Sequence, residues 1–337
     1  MIQDKWPNVL RGCAYGDAWG AGNEFRSYAY LTEQSPYGPP LPDKLIITDD
    51  TQMTLSLARA LDQGHHQNSV SIRARVLDEW VRWYDDPDNN RAPGRTCLTA
   101  IAQLRSQTTP RLGYDPSVLR SDGCGTVMRV SPAAFLPSGW SAVAGWQAIS
   151  THGGPAGVAA AIIGAGVIRA GALGWTVAGD TIDWAIRRCA NHGDAEKAAR
   201  WLIGYHPRIK DFDDAESYLR EGYRDVRAAL ADARRGLTLM SKAPWGDDPC
   251  EYGGQGWRAH HCLATALLCV DLLPADPVSA LQRATVTHGD SDSIAAVAGA
   301  VLGAVHDDPW PAQWFDRLEP RYQKWIGEAD SYRFMAI

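Results

Sequence analysis

The chain has 337 residues, 45% of them hydrophobic and 21% charged, with a formal net charge of −6. That apolar share supports a large core, and a negative balance without any basic run excludes a general nucleic-acid-binding surface. Seven cysteines with no CxxC spacing cannot all pair and fit a reduced cytoplasm better than a disulfide framework.

In chain order, Asp4 and Lys5 interrupt the first ten residues, which lack the apolar centre of a secretory signal. Leu45-Ile46-Ile47 reads as one short extended piece running into Thr48-Asp49-Asp50-Thr51. Met53, Leu57 and Leu61 then recur every fourth residue, which places Asp49 and Asp50 at a helix N-terminus. Val76, Trp80 and Trp83 give a second apolar stripe, stopped by the polar run Asp85-Asp86-Pro87-Asp88-Asn89-Asn90. From Ala156 to Ala172 the chain reads as a buried Ala- and Gly-rich helix, whose small side chains let neighbouring backbones approach; the stretch from Val158 to Leu173, with Arg169 inside it, is too short for a membrane span.

Tyr223, Val226, Ala229 and Leu230 form a further stripe, and Ala264, Leu267 and Leu268 another. His260 and His261 are adjacent on such a helix, cannot both face one ion, and read as packing or surface residues. Gly289-Asp290-Ser291-Asp292-Ser293 leads into the last clear helix, with Ala296, Val297, Ala300, Val301 and Ala304 spaced for tight packing. The Gly- and Pro-rich loops Ser35–Pro42 and Pro244–Gly256 are candidates to line a cleft. Strand-type alternation, repeats and linkers are absent, so the sequence predicts one all-α domain over residues 1–337.

Two acidic clusters stand out, Thr48-Asp49-Asp50-Thr51 and Gly289-Asp290-Ser291-Asp292-Ser293. Each offers two carboxylates and a hydroxyl, the hard oxygen ligands that Mg²⁺ selects, and together they read as one metal site assembled from both ends of the chain. Taken singly, each also reads as a helix cap, because Asp, Ser and Thr accept hydrogen bonds from free amides at a helix start.

Four segments in this order resemble the ADP-ribosylglycohydrolase family, which includes the dinitrogenase reductase-activating glycohydrolases. They are Gly12-Cys13-Ala14-Tyr15-Gly16-Asp17-Ala18-Trp19-Gly20 with Glu24-Phe25; Thr48-Asp49-Asp50-Thr51-Gln52-Met53; Asp122-Gly123-Cys124-Gly125-Thr126-Val127-Met128-Arg129 with Pro132; and Gly289 to Ser293 with Ala295-Ala296-Val297-Ala298-Gly299. Thr151-His152 matches a Ser/Thr-His pair that follows the third segment in relatives. The resemblance runs from about residue 10 to about residue 320, and the joint occurrence makes it specific. It implies a compact orthogonal helical bundle holding two Mg²⁺ ions, with Mn²⁺ as a substitute, and hydrolysis of the glycosidic bond between ADP-ribose and an acceptor.

Carried over by position, the resemblance implies Thr48, Asp49, Asp50, Asp290, Asp292 and Ser293 as metal ligands. It implies Glu24 and Asp292 as catalytic groups, with Asp17 or Asp122 able to share proton handling. Gly123, Cys124, Gly125, Thr126 and Met128 would hold the diphosphate and ribose, Asp122 and His152 would contact the substrate, and Trp19 would stack on a base or ribose. Departures are His288, where many relatives have glycine, and Cys124, where asparagine is frequent. Ser293 in place of threonine is a variation of arginine-directed relatives.

Simpler roles stand beside these: Glu24 paired with Arg26, the glycines at 123 and 125 permitting a tight turn, and His152 satisfied in the core. The reading reached is a cytoplasmic, monomeric, Mg²⁺-dependent hydrolase acting on an ADP-ribosylated protein or small molecule, with arginine as preferred acceptor. Its rivals are a hydrolase of seryl, nucleobase or small-molecule ester linkages, a non-catalytic ADP-ribose binder, and a two-metal phosphoesterase.

Overall fold

The computed structural model of the chain describes residues 2–62, 69–106, 120–191, 193–202 and 212–334. Fifteen α-helices are present among the described residues: α1 (Trp6–Gly20), α2 (Tyr28–Thr32), α3 (Asp49–Asp62), α4 (Ser69–Tyr84), α5 (Arg95–Arg105), α6 (Trp140–Ile149), α7 (Pro155–Ala172), α8 (Thr181–Ala190), α9 (Gly193–Leu202), α10 (Ala215–Met240), α11 (Cys250–Gly253), α12 (Ala259–Leu272), α13 (Pro277–Thr285), α14 (Ser291–Val305) and α15 (Pro320–Ala329). No strand occurs among them. The expected extended piece at Leu45 amounts to one isolated bridge to Leu318, and a second bridge joins Gly123 to Arg258.

α7 runs through the centre, packed against α6, α8, α10, α12 and α14. It is long and apolar enough to cross a membrane by composition, yet 94% of its apolar window is buried inside this fold, which is how a core helix behaves. Pro155 opens it, placed where a helix needs no amide donor. The stripes on α3, α4, α10 and α12 all face the same continuous core. All seven cysteines are free thiols.

The closest helix pairing joins α1 to α14, so the two ends of the chain meet along a seam of small residues. Gly12 on α1 and Gly299 on α14 face each other backbone to backbone. A Cβ on Gly16 would sit 2.0 Å from the carbonyl oxygen of Ala295. That approach is possible only without side chains, and it brings the start of α14 beside the end of α1.

Candidate active site

The first acidic cluster is built from behind. Asp17, fully buried on α1, accepts hydrogen bonds from the amide of Thr48 at 3.0 Å and the amide of Thr51 at 3.1 Å. The hydroxyl of Thr48 donates to it at 2.8 Å, and that of Thr51 at shorter range. This carboxylate therefore satisfies the free amides at the start of α3 from outside the helix. Asp49 and Asp50 are thereby held in the first turn of α3, where the Gly94 amide donates to Asp49 at 3.3 Å.

The second cluster sits at the start of α14, with the Ser293 amide donating to Asp292 at 2.9 Å. It is pressed between α1 and the loop before α12. The Asp290 amide donates to the Gln255 carbonyl at 2.8 Å, and a Cβ on Gly289 would lie 1.9 Å from that same oxygen. The motif glycine at 289 is thus required by the approach of another backbone. Glu24 follows α1 directly, and its carboxylate oxygens come within 4.8 Å of those of Asp290 and Asp292. Asp50 lies near enough to Asp290 to be repelled by it, and both line one cleft with Ser293, which brings the early cluster to the late one.

Five carboxylates thus converge: Glu24, Asp49, Asp50, Asp290 and Asp292. Among the described residues, none of the ion pairs involves any of them, and the buried Oδ1 of Asp50 has no hydrogen-bond partner. Burial, followed by repulsion from neighbouring carboxylates, raises Glu24 to about 7 and pushes Asp50 and Asp292 well above the usual carboxylate range. Burial likewise raises Asp17 to about 6 and Asp49 to about 8. Like charges at such density need a counter-cation, and an oxygen-only donor set with an orphaned buried oxygen fits Mg²⁺ or Mn²⁺.

A pH dependence follows. A carboxyl whose pKa is higher in the fold keeps its proton over an interval in which the unfolded chain has lost it, so the native state binds more protons there and rising pH destabilises it. For Asp17, Glu24 and Asp49 that interval runs from about 4, the unfolded carboxylate value, to about 8. Without divalent cations the melting temperature should fall between pH 5 and pH 8 by on the order of 5 °C. Millimolar Mg²⁺ should raise it more at pH 8 than at pH 5. Calorimetry showing a pH-independent transition, or equal Mg²⁺ effects at both values, would count against this charge arrangement.

The acidic groups lie at one end of a cavity of about 460 Å³, lined also by Ser121, Gly123, Cys124, Gly125, Met128, Ser293 and His152. Its glycine strip is held in place by the Cys124 amide on the Trp257 carbonyl at 3.1 Å and the Ala259 amide on the Asp122 carbonyl at 2.7 Å. His152 is neutral, burial and the Arg129 charge holding its pKa well below the ordinary value. Its Nδ1 lies 2.8 Å from the Thr151 hydroxyl, whose oxygen also accepts from Arg129 at 2.7 Å. With Thr151 as donor to Nδ1, the Nε2 proton faces the cleft beside Gly123 and Gly125.

Five of the residues assigned from sequence are not on the cleft wall. Trp19, expected to stack on substrate, is buried against Trp314 at 5.8 Å and donates its ring N–H to the Pro39 carbonyl, because α1 is enclosed on almost every side. Asp17 and Thr48 spend their oxygens on fixing α3. Asp122 accepts from the Gly157 amide at 2.9 Å, and the Thr126 hydroxyl donates to the Gly157 carbonyl, both anchoring the strip to the first turn of α7. Of the two candidate loops, 244–256 borders a cavity and 35–42 packs over Trp19 and α13.

Sequence reasoning gave no role to Phe25, Ala92, Gly94, Arg95, Thr96, Cys97 and Trp257, all of which line the cleft. It also missed the role of Arg129, a fully buried guanidinium lying 4.4 Å over Trp80 and bonded to Gln147. A charged residue directly after the apolar pair Val127-Met128 was the available signal.

Comparison with known proteins came to the same architecture. A family model described as ADP-ribosylglycohydrolase matches residues 2–335. ADP-ribosylhydrolase ARH3 of Bos taurus is 25% identical over 350 residues, covering 94% of this chain and 88% of the relative. ADP-ribosyl-[dinitrogen reductase] glycohydrolase of Rhodospirillum rubrum is 28% identical over 176 residues, or 48% of this chain and 55% of that one. Among solved structures, an "ADP-ribosylglycohydrolase-related protein complex" superposes with a TM-score of 0.61 at 20% identity, covering 98% of this chain and 96% of the other, a likeness of fold.

Proposed function

The chain belongs to the ADP-ribosylglycohydrolase family of glycoside hydrolases, and from that premise we propose that it removes ADP-ribose from arginine side chains of modified proteins in a Mg²⁺-dependent reaction. The observation that carries this reading is the meeting of four buried aspartates and the half-buried Glu24, from segments at opposite ends of the chain, none of them in an ion pair among the described residues. Asp49, Asp50, Asp290, Asp292 and Ser293 would hold the two ions, with Thr48 completing the set from the edge of the site. Bound there, the ions would supply Lewis-acid stabilisation of charge and would ease deprotonation of water near neutral pH.

The chain's own residues account for the rest. The strip from Gly123 to Met128 offers backbone amides with little side-chain bulk, suited to a diphosphate and ribose, and His152 adds a neutral N–H donor. Positive charge develops on the ribose ring as its bond breaks, and carboxylates beside it are stabilising. Glu24, with its carboxyl raised to about 7, both holds and releases a proton near neutrality, as a general acid or base requires. A guanidinium acceptor suits so acidic a centre and the aromatic pair Phe25 and Trp257 at its mouth. Seven free thiols support a reducing, cytoplasmic setting.

The test is chromatography of products from an arginine-ADP-ribosylated protein with Mg²⁺, after chelation, and after adding Mg²⁺ or Mn²⁺ back. Intact ADP-ribose should appear, release should fall at least ~100-fold on chelation, and the added ion should restore it. Faster release from a serine-linked substrate would reassign the acceptor. AMP or free phosphate as product would replace the reading with a phosphoesterase.

A further inference from the structure

Beyond the reaction centre lies a second cavity of about 860 Å³, bordered by Phe25, Tyr28, Asp247, Asp248, Glu251 and Tyr252. Phe25 lines this cavity and the substrate cleft alike, so one ring is the shared wall. The ring is 76% exposed, unusual for phenylalanine, and stacks on Trp257 at 5.2 Å with planes 19° apart. Its backbone has φ of 63°, a left-handed conformation that a bulky residue adopts only when its surroundings impose it. Strain of this kind immediately after Glu24 holds an aromatic face at the boundary between the two spaces.

The charge of the second cavity is mainly negative, with three carboxylates against the one guanidinium of Arg26. Asp247 and Glu251 are exposed, and among the described residues neither enters an ion pair. Asp248 is buried and committed to the His288 ring at 2.5 Å and to two backbone amides. The cation on the wall, Arg26, lies 4.9 Å over the Tyr30 ring and donates to the Gly22 carbonyl. The loop bearing Asp247 is fixed from below by Arg283, which donates to the carbonyls of Pro244 and Asp247. The carboxylates are therefore presented on a rigid support, next to three aromatic side chains, where a cation is favoured.

Position gives this chemistry a purpose. If ADP-ribose fills the glycine-lined cleft and its scissile bond lies among Glu24, Asp290 and Asp292, the leaving acceptor must extend past Glu24. Phe25, the next residue, also walls the second cavity, which places that space beside the site. We propose that it is the acceptor subsite, in which Asp247 and Glu251 select a polypeptide whose modified residue is flanked by further arginines or lysines, with Phe25 and Trp257 stacking against the chain. The inference rests on the hydrolase reading and goes beyond it by naming the residues that choose the acceptor.

The test uses the full-length protein saturated with Mg²⁺ and ADP-ribose. Fluorescence anisotropy would follow a dye-labelled peptide of alternating glycine and arginine, against the same peptide with citrulline for arginine. The wild type should bind the arginine peptide at least tenfold more tightly. The double variant Asp247→Lys, Glu251→Lys should lose that preference while binding ADP-ribose within twofold of wild type. Both positions are exposed, and near-ultraviolet circular dichroism would verify the fold.

With ADP-ribosylated peptides the double variant should raise KM about tenfold and leave kcat within twofold. Equal binding of the two peptides to wild type, an unchanged preference in the variant, or parallel weakening of ADP-ribose would each overturn the subsite. Failure of the hydrolase reading shows elsewhere, as no ADP-ribose released by the wild type from any modified acceptor, and the peptide comparison still decides the cavity.

Discussion

Asp292→Ala should abolish ADP-ribose release, lowering kcat at least ~10³-fold, the scale seen when a group acting on developing charge is removed. The same change should leave the metal-free protein as stable as the wild type, or more so. Asp292 is buried among Asp290, Asp50 and Glu24, so its removal relieves the repulsion between these carboxylates. Its structural task, accepting the Ser293 amide, is shared with Asp290, whose side chain also accepts that amide and caps α14. Stability given up for a function-bearing cluster is the expected pattern at such a site. Two measurements decide: product release at saturating Mg²⁺, and thermal unfolding with and without the ion. Turnover near the wild-type rate, or a melting temperature several degrees lower in the absence of Mg²⁺, would refute the assignment.

Gly16→Val should be the most damaging single change away from the acidic groups. A valine there would drive its Cβ into the Ala295 carbonyl and toward the Ala296 amide nitrogen, and both obstacles are main chain, which cannot rotate aside. Overpacking normally costs about 1–3 kcal/mol, and a clash of backbone against backbone belongs at or above the top of that range, about 4 kcal/mol. Activity should fall further than stability does. The seam sets where Asp290 and Asp292 stand relative to Glu24, and separating α1 from α14 by even an ångström spoils that geometry. Gly22→Ala is the control, since a Cβ there meets nothing within 4 Å. Urea unfolding with matched activity assays reads both, and a Gly16→Val protein indistinguishable from Gly22→Ala would remove the seam from the account.

Much of the fold was legible because each helix announces itself locally. The fourfold spacing after Asp50, the capping residue Asp290 and the Ala/Gly run of α7 are signals contained within one or two turns. The approach of the early and late clusters was legible only through the chemistry they share, since no local signal says which helices cross. What stayed hidden depends on contacts between distant segments. Asp17 looks from sequence like any acid near a catalytic motif, and only the position of α3 shows that its oxygens are occupied by Thr48 and Thr51. Trp19, between Asp17 and Glu24, suggested a stacking surface, whereas the crowding of α1 turned it inward. Phe25 and Trp257 lie far apart in the chain, and neither belongs to a periodic stripe that would have marked them.

The α1–α14 seam also sets a schedule for how the protein is made. α1 leaves the ribosome roughly 270 residues before its partner exists, a wait on the order of tens of seconds during translation. For that time its glycine face has nothing to close on, and Glu24 stands apart from the aspartates of the last third. Contacts of such sequence separation form late and slowly, so the helices around α7 are placed to consolidate first. A chain cut short before α14 would carry the early aspartates without Asp290 and Asp292, so the acidic cluster forms only once α14 has been made.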